Sequence, residues 1–285
     1  MSLKIRLAEA RTAAPFLAPA LAAIALVAVF PIGWTFWESL HRHDLRMPWL
    51  GRPFIGLANY VEILTDTRFH GALARTTFFT ASAVTLEMFA GLGVALLLNR
   101  PSRGRALLRL AALIPWALPT AVAALVWRFM FEGHTTAWFL SATGAWVPII
   151  LADAWRMTPF VALLMLAGLQ QIDPSLYEAA RMDGAGSWRQ FREITLPLLR
   201  PALVVAVLFR ALDAFRVFDL IYVMTAGGPG TATEPVSLYT FNALLQNLRF
   251  GFGSALSMVV FLISFIGALA WIRLLGSSAL LEKLE

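Results

Sequence analysis

The sequence contains no cysteine and little charge. Only 14% of its 285 residues are charged, and lysine occurs twice, as Lys4 and Lys283. Without cysteine the chain has no disulfide, no thiolate zinc site and no thiol nucleophile. A soluble domain usually carries about 25% charged residues. The shortage of charge therefore indicates that water is not the main solvent of this protein.

The sequence is instead rich in apolar residues, at 59% with a mean hydropathy of +0.71. A membrane helix needs roughly 20 mostly apolar residues. The stretches that meet this requirement predict an all-α membrane protein with six transmembrane helices in a single domain, residues 1–285. The predicted spans are 14–40, 74–98, 107–131, 147–170, 202–224 and 253–275.

The first apolar run, residues 12–40, follows Lys4, Arg6 and Arg11. A cleaved signal peptide is the alternative, but its apolar region spans only about 7–15 residues. The run is much longer, so we expect it to remain as the first span.

The distribution of arginine predicts how the spans are oriented. With the N-terminus inside, most basic residues of the connecting segments fall on the cytoplasmic side, as bilayer topology requires. We therefore expect a multi-pass protein of a bacterial or archaeal inner (cytoplasmic) membrane with both termini in the cytoplasm. The exception is the outer segment 41–75, which carries Arg42, Arg46, Arg52, Arg68 and Arg75.

The segment 171–201 between the fourth and fifth predicted spans is too long for a simple connection. Asp173 followed by Pro174 predicts a capped helix start, and Gly184 predicts its end. We expect Ser187 to cap a second helix that Pro197 and Pro201 terminate. The result would be a helix–turn–helix outside the membrane, either a docking element for a cytoplasmic partner or an amphipathic surface helix.

This segment resembles the EAA loop of ABC importer permeases. Both halves of the motif are present at the family's spacing: Glu178, Ala179, Ala180, Asp183, Gly184 and Ala185, then Ile194, Leu196, Pro197 and Pro201. Residues 55–60, 218–229 and 252–257 resemble further segments of the sugar permeases. The resemblance is nearest to the maltose/trehalose/glycerol-phosphate group of carbohydrate-uptake, binding-protein-dependent permeases.

The resemblance implies a set of partners. These are a second homologous permease forming a heterodimer, two ATPase subunits that carry ATP and magnesium, an extracytoplasmic sugar-binding protein, and membrane lipid. The implied coupling residues are Glu178, Ala179, Ala180, Asp183 and Gly184, with Glu178 making polar contacts in an ATPase cleft and Gly184 setting the turn. Closure of the ATPase pair would then drive alternating access around a mid-membrane site.

The chain itself is not predicted to be an enzyme. Neither lysine is preceded by the glycine frame of a P-loop, and no Ser/His/Asp set lies on an identifiable scaffold. His41, His43, His70 and His134 fall in predicted outer loops, so we expect no metal site and no cofactor in this chain. The net charge of +6 does not imply a nucleic-acid partner, because the basic residues are divided among loops.

Charges inside the predicted spans indicate where a solute passes, because a charge at membrane depth needs a partner or a wet cavity. Arg210, Asp213, Arg216 and Asp219 are spaced by three, so they form either an ion-pair ladder or a polar cavity wall. Glu87 is a further intramembrane charge with no identified partner. Aligning the family motif gives these candidate solute contacts: Trp155, Arg156, Phe160, Arg210, Asp213, Ala214 and Val217.

The resemblance implies that the solute is a disaccharide such as trehalose or maltose. Side-chain chemistry is compatible with a sugar, since aromatic side chains suit a sugar ring face and charged ones suit its hydroxyls. The sequence has charges where the maltose permeases carry amide or hydroxyl residues, which leaves the identity of the solute open. The alternatives are a glycerol-phosphate or other small polar solute importer, and an ATP-independent membrane transporter or scaffold.

Overall fold

The computed structural model describes residues 16–100, 104–132 and 136–276. Its described residues fall into two compact units. The first is Met1–Asp66 with Thr240–Phe261, and the second is Thr67–Tyr239 with Leu262–Glu285. The single domain over residues 1–285 stays a prediction.

The described residues are mainly helical. In chain order the helices are α1 (Phe16–Ser39), α2 (Ala58–Thr65), α3 (Thr67–Asn99), α4 (Arg105–Ala117), α5 (Thr120–Glu132), α6 (Thr136–Leu140), α7 (Trp146–Leu169), α8 (Pro174–Met182), α9 (Ser187–Phe215), α10 (Asp219–Thr225), α11 (Val236–Phe241) and α12 (Phe250–Leu274). Within these residues β structure is limited to two isolated bridges, His41 with Phe54 and Asp44 with Arg249.

Among the described residues, five helices are long and apolar enough to cross a membrane, namely α1, α3, α7, α9 and α12. The predicted span 107–131 is not one straight helix. It is broken between α4 and α5 with a bend of 88°. Leu118 is extended, with ψ 136, because the ring of Pro119 disfavours helical dihedrals in the preceding residue. The bent pair supplies a sixth span if it crosses the membrane as one unit.

The helix that contains most of the predicted span 202–224 has other bounds, Ser187–Phe215. At its start, α9 is continuous from Ser187 and is not terminated by Pro197 or Pro201. Pro197 follows directly on the π-helical segment Phe191–Thr195 and Leu196, where the wider turn changes the backbone hydrogen-bond register. Gly186 caps α9, and Ser187 is its first residue.

At its other end the predicted span breaks between Phe215 and Asp219. The break frees the backbone carbonyl of Val217 from helical pairing. The hydroxyl of Ser237 donates a hydrogen bond to that carbonyl, which satisfies a group that would otherwise be costly in an apolar medium. The break is therefore a stabilised feature of the second unit.

Two glycines allow the central helices of the second unit to pack closely. A Cβ on Gly91 of α3 would lie 2.5 Å from Cγ1 of Val161, and one on Gly168 of α7 would lie 2.7 Å from Cβ of Ala202. Small residues let membrane helices approach in this way. The resulting core of α3, α7 and α9 contains Ala95, Val161, Ala162, Met165, Leu166, Leu169, Ile172 and Leu199.

Ion pairs explain why the outer segment 41–75 holds so much arginine. In the first unit Arg52 pairs with the buried Glu38, and Arg46 pairs with Asp44 at 2.6 Å. The Arg46 guanidinium lowers the pKa of the Asp44 carboxyl. In the second unit Arg68 binds Glu234 at 2.7 Å. Carboxylates within the chain pair with these three arginines. Their presence in a predicted outer segment is therefore compatible with the predicted orientation.

The histidines differ from expectation at one position. His41 and His43 lie outside helices, but His70 lies in α3 because that helix begins at Thr67. The ring of His43 stacks on Phe250 at 5.3 Å within the first unit. His134 lies outside the described residues.

Candidate translocation cavity and coupling segment

Arg210 of α9 is the centre of a buried ion cluster that joins three helices. Its guanidinium donates to Glu87 of α3 at 2.5 and 2.8 Å and to Asp153 of α7 at 2.9 Å. It also pairs with Asp213, one turn further along α9. Arg210 and Glu87 are both 0% exposed. Glu87, for which the sequence named no partner, is thus the main counter-ion of Arg210.

This cluster satisfies the condition for charge at membrane depth. A two-pronged arginine–carboxylate contact is the strongest form of charged hydrogen bond, and an unpaired charge here would be very costly. The structure also shows how much of the predicted ion-pair ladder of Arg210, Asp213, Arg216 and Asp219 is formed. Only its first pair forms, because Arg216 donates instead to the backbone carbonyl of Leu212 at 3.2 Å, and Asp219 lies beyond the break in α10.

A cavity of about 130 Å³ lies beside the cluster in the second unit. Helices α5, α7, α9 and α10 and the break between α9 and α10 contribute its walls. The lining residues are Thr120, Asp153, Arg156, Asp213, Ala214, Arg216, Val217, Phe218, Asp219 and Leu220. Ligand pockets usually measure about 300–1,000 Å³, so this cavity is smaller than a typical ligand pocket.

Four of the predicted solute contacts line this cavity, namely Arg156, Asp213, Ala214 and Val217. Arg210 does not, because it is fully buried among its carboxylates. The side chain of Asp213 is 59% exposed while one of its oxygens accepts from Arg210. Its position makes Asp213 an acceptor that is held in place yet open to a ligand.

Arg156 supplies a donor to the same cavity. Its nearest carboxylate oxygen, on Asp153, is 3.8 Å away, and its buried Nε has no hydrogen-bond partner. A buried N–H without a partner is unfavourable. Arg156 is therefore a donor on the cavity lining whose hydrogen bonding is incomplete in this structure.

Trp155 and Phe160 lie on α7 but face the bent pair α4–α5. Phe160 stacks on Trp116 with ring centroids 6.0 Å apart, and Trp155 lies 6.1 Å from Trp127. Consecutive helix residues point about 100° apart, so Trp155 lies on a different face of α7 from Arg156. The structure does not place these two rings on the cavity wall.

The coupling segment folds much as its local signals predict. Asp173 caps α8, accepting from the backbone N–H of Ser175 at 2.9 Å, and that bond lowers the pKa of the Asp173 carboxyl. Gly184 ends the turn with φ +77, a left-handed conformation that costs glycine little. The predicted loop helix and glycine turn are both present.

The predicted coupling residues are largely exposed. Glu178 and Ala179 on α8, Asp183 at its end and Gly184 are exposed, and Ala180 is half-buried. Two large apolar side chains flank them, Met182 at 89% and Trp188 at 72% exposure. Large apolar groups exposed next to charges are typical of interaction surfaces.

Apolar helices around an intramembrane ion cluster and a polar cavity, with an exposed helical segment between two spans, define a multi-span membrane transport protein. Residues 87–277 match the family described as "Binding-protein-dependent transport system inner membrane component". The chain belongs to this family of ABC importer permeases, in which the ATPase is a separate subunit.

Named relatives support the same conclusion. The chain is 42% identical to the trehalose/maltose transport system permease protein MalF of Thermococcus litoralis, over 91% of this chain and 92% of the relative. It is 40% identical to the trehalose transport system permease protein SugA of Mycobacterium tuberculosis, over 96% and 92%. The predicted family is thus confirmed.

The fold also matches a solved transporter. A chain of a bacterial ABC transporter involved in the import of the acidic polysaccharide alginate superposes with a TM-score of 0.78 at 19% identity, over 95% of this chain and 97% of that chain. At this identity the likeness concerns the fold alone. It confirms the predicted all-α importer permease fold.

Proposed function

We propose that this chain is the permease subunit of an ATP-driven importer of a disaccharide of the trehalose or maltose type. The observation that carries the proposal is the identity of 42% and 40% to permeases named for these sugars, over more than nine-tenths of the chain. The cavity agrees in chemistry, since carboxylate acceptors and a guanidinium donor suit the hydroxyls of a neutral sugar.

The proposed complex contains this chain, a second homologous permease, two ATPase subunits with ATP and magnesium, and an extracytoplasmic binding protein, in an inner membrane with both termini inside. No nucleic acid takes part, and no cofactor is proposed for this chain. The small cavity supports a second permease, because the remaining wall of a disaccharide site has to come from elsewhere.

In the proposed mechanism, α8 binds in a cleft of one ATPase subunit. Glu178 makes polar contacts there, Ala179 and Ala180 allow close approach, and Asp183 and Gly184 hold the turn. Closure of the ATPase pair displaces α8 and rocks the helices around the cavity, so that access alternates between the two sides of the membrane.

The candidate solute contacts have different roles in this proposal. Arg156 donates to sugar hydroxyls and Asp213 accepts from them, while Ala214 and Val217 shape the wall. Arg210 positions Asp153 and Asp213 without touching solute. Trp155 and Phe160 stay candidate ring contacts on the α4–α5 side of α7.

The test is uptake by the complete complex in proteoliposomes, with binding protein outside and ATP inside. We expect saturable, ATP-dependent uptake of trehalose or maltose and little uptake of glycerol phosphate. Preferential uptake of glycerol phosphate would overturn the sugar assignment. Uptake that continues without ATP would overturn the importer mechanism.

Docking can be tested separately, because the chain has no cysteine. A single cysteine introduced by Glu178→Cys should cross-link to the ATPase subunit, and one introduced by Glu62→Cys, on α2 of the first unit, should not. Equal cross-linking of the two variants would contradict docking through α8.

A further inference from the structure

Tyr177 connects the coupling helix to the core of the second unit. No residue of α8 is fully buried, but Tyr177 is half-buried and packs against the core that contains Leu169, Ile172 and Leu199. Its neighbour Glu178 is exposed. The two residues point about 100° apart on α8, so one packs against the core while the other stays accessible to a partner.

The hydroxyl of Tyr177 reaches across to α9. It lies 3.0 Å from Oγ1 of Thr195, and Thr195 is 5% exposed. Thr195 Oγ1 in turn donates a long hydrogen bond, 3.5 Å, to the backbone carbonyl of Gln190. Either hydroxyl of the Tyr177–Thr195 pair could be the donor, and the contact between them is the shorter of the two.

A second link closes the turn between the same helices. The side-chain amide of Gln190 donates to the backbone carbonyl of Ala185 at 2.8 Å. The backbone N–H of Ala185 donates to Ala180 of α8 at 2.9 Å. The first of these bonds joins the turn to the start of α9, and the second joins the turn to α8.

Thr195 occupies a particular place in α9. It is the last residue of the π-helical segment Phe191–Thr195. A π-turn adds one residue to the helix, so it changes by about 100° the direction in which later side chains point. The residue of α9 that contacts Tyr177 of α8 is therefore also the last residue of the π-helical segment, which sets the direction of the later side chains of α9.

From Thr195 the helix continues without interruption to Phe215. Arg210 lies 15 residues beyond Thr195, which is about 22 Å along the axis. A displacement of α8 that is transmitted at Thr195 therefore reaches the ion cluster and the cavity wall through one continuous helix. This path exists because Pro197 and Pro201 do not terminate α9.

We propose that Tyr177 is a positioning residue that couples α8 to α9 through its hydrogen bond to Thr195, so that movement of the coupling helix becomes movement of the cavity wall. This proposal rests on the proposed function, in which an ATPase moves α8. Tyr177 touches neither the solute nor the ATPase in this scheme. It determines how many sugar molecules are imported for each ATP that the ATPase subunits hydrolyse.

The test uses Tyr177→Phe, which keeps the ring packing and removes the hydroxyl, and Thr195→Val, which keeps the shape of the partner. In proteoliposomes that hold the complete complex, the measured quantity is the number of sugar molecules imported per ATP hydrolysed. We expect each variant to lower this ratio by about three- to tenfold, the order of one lost hydrogen bond. The double variant should be no worse than Thr195→Val alone, because Thr195→Val already removes the contact that Tyr177→Phe removes.

Tyr60→Phe is the matched control. It removes a bond of the same kind, from Tyr60 Oη to Ser39 Oγ at 2.6 Å, within the first unit, and it should leave the ratio unchanged. An unchanged ratio in Tyr177→Phe and Thr195→Val would overturn the proposal. Loss of ATPase co-purification in Tyr177→Phe would also overturn it, because Tyr177 would then serve docking or folding. Absence of ATP-dependent uptake in the unmodified complex would instead contradict the proposed function.

Discussion

Two charged regions of the second unit differ in what surrounds them. Around Arg210 every charge faces another within the chain, and Arg210 and Glu87 are closed to solvent. Around Glu178 most side chains are exposed at the surface of the chain. A buried charge that is fully paired has no capacity left for a ligand, whereas an exposed one can still meet a partner. The difference favours a structural role for the region around Arg210 and the proposed docking role for the region around Glu178.

The largest expected effect comes from breaking the buried cluster. Arg210→Met leaves Glu87 and Asp153 buried without their cation, and loss of one partner of a buried pair costs about 3–5 kcal/mol. We expect a greatly reduced yield of folded protein and a lower Tm in detergent.

Arg216→Met is the control for this variant. Arg216 is exposed, and among the described residues it forms no ion pair. Its removal should change the free energy of unfolding by only about 0.5 kcal/mol. Similar losses of Tm in the two variants would contradict a special role for the buried cluster.

The next effect separates folding from transport in the exposed region. Glu178→Lys should leave Tm unchanged and reduce ATP-driven uptake about thirtyfold or more, because loss of a charge contact at an interface costs about 2–5 kcal/mol. Glu178→Gln should lose less, since the amide keeps an acceptor. Uptake and ATPase co-purification are the measurements, and normal uptake by Glu178→Lys would remove α8 from the coupling mechanism.

Asp213 lies between the two regions, since it is paired yet exposed. Asp213→Ala should reduce uptake about tenfold through loss of a charged hydrogen bond to solute, while Arg210 keeps Glu87 and Asp153 and the complex still assembles. Assembly is followed by size-exclusion chromatography. Failure to assemble would show that Asp213 serves the ion cluster alone.

The smallest effect concerns the cap of α8. Asp173→Ala removes the acceptor for the Ser175 N–H, so amide exchange within α8 should accelerate modestly while Tm is unchanged.

Acidification should remove the same hydrogen bond in the unmodified chain. The folded-state pKa of Asp173 is lowered from 3.8, so the cap is intact above that value and is lost as the pH falls through the lower, folded-state pKa. Asp173→Asn, which still accepts, should keep its protection at low pH.

Local signals in the sequence predicted the exposed region well. The cap of Asp173, the proline after it and the turn at Gly184 each depend on neighbouring residues alone. The same kind of signal at Pro197 and Pro201 was misleading, because whether a proline ends a helix depends on the register of the preceding turn. Here a π-segment places Pro197 in a tolerated position.

The buried region could be predicted only in part. The positions of Arg210 and Asp213, three residues apart, were enough to indicate a pair. Glu87 is 123 residues from Arg210 in sequence, so only the packing of α3 against α9 identifies it as the partner. The break at Arg216 likewise depends on Ser237, a contact that no local pattern indicates.

The most direct test of the central claim is the initial rate of trehalose uptake into proteoliposomes that hold the complete complex, measured with and without internal ATP for the unmodified chain and for Glu178→Lys. We predict ATP-dependent uptake that is lost in Glu178→Lys although that protein keeps its Tm. Uptake that is equal in the two proteins, or equal with and without ATP, would contradict the assignment of α8 as the site through which transport is driven.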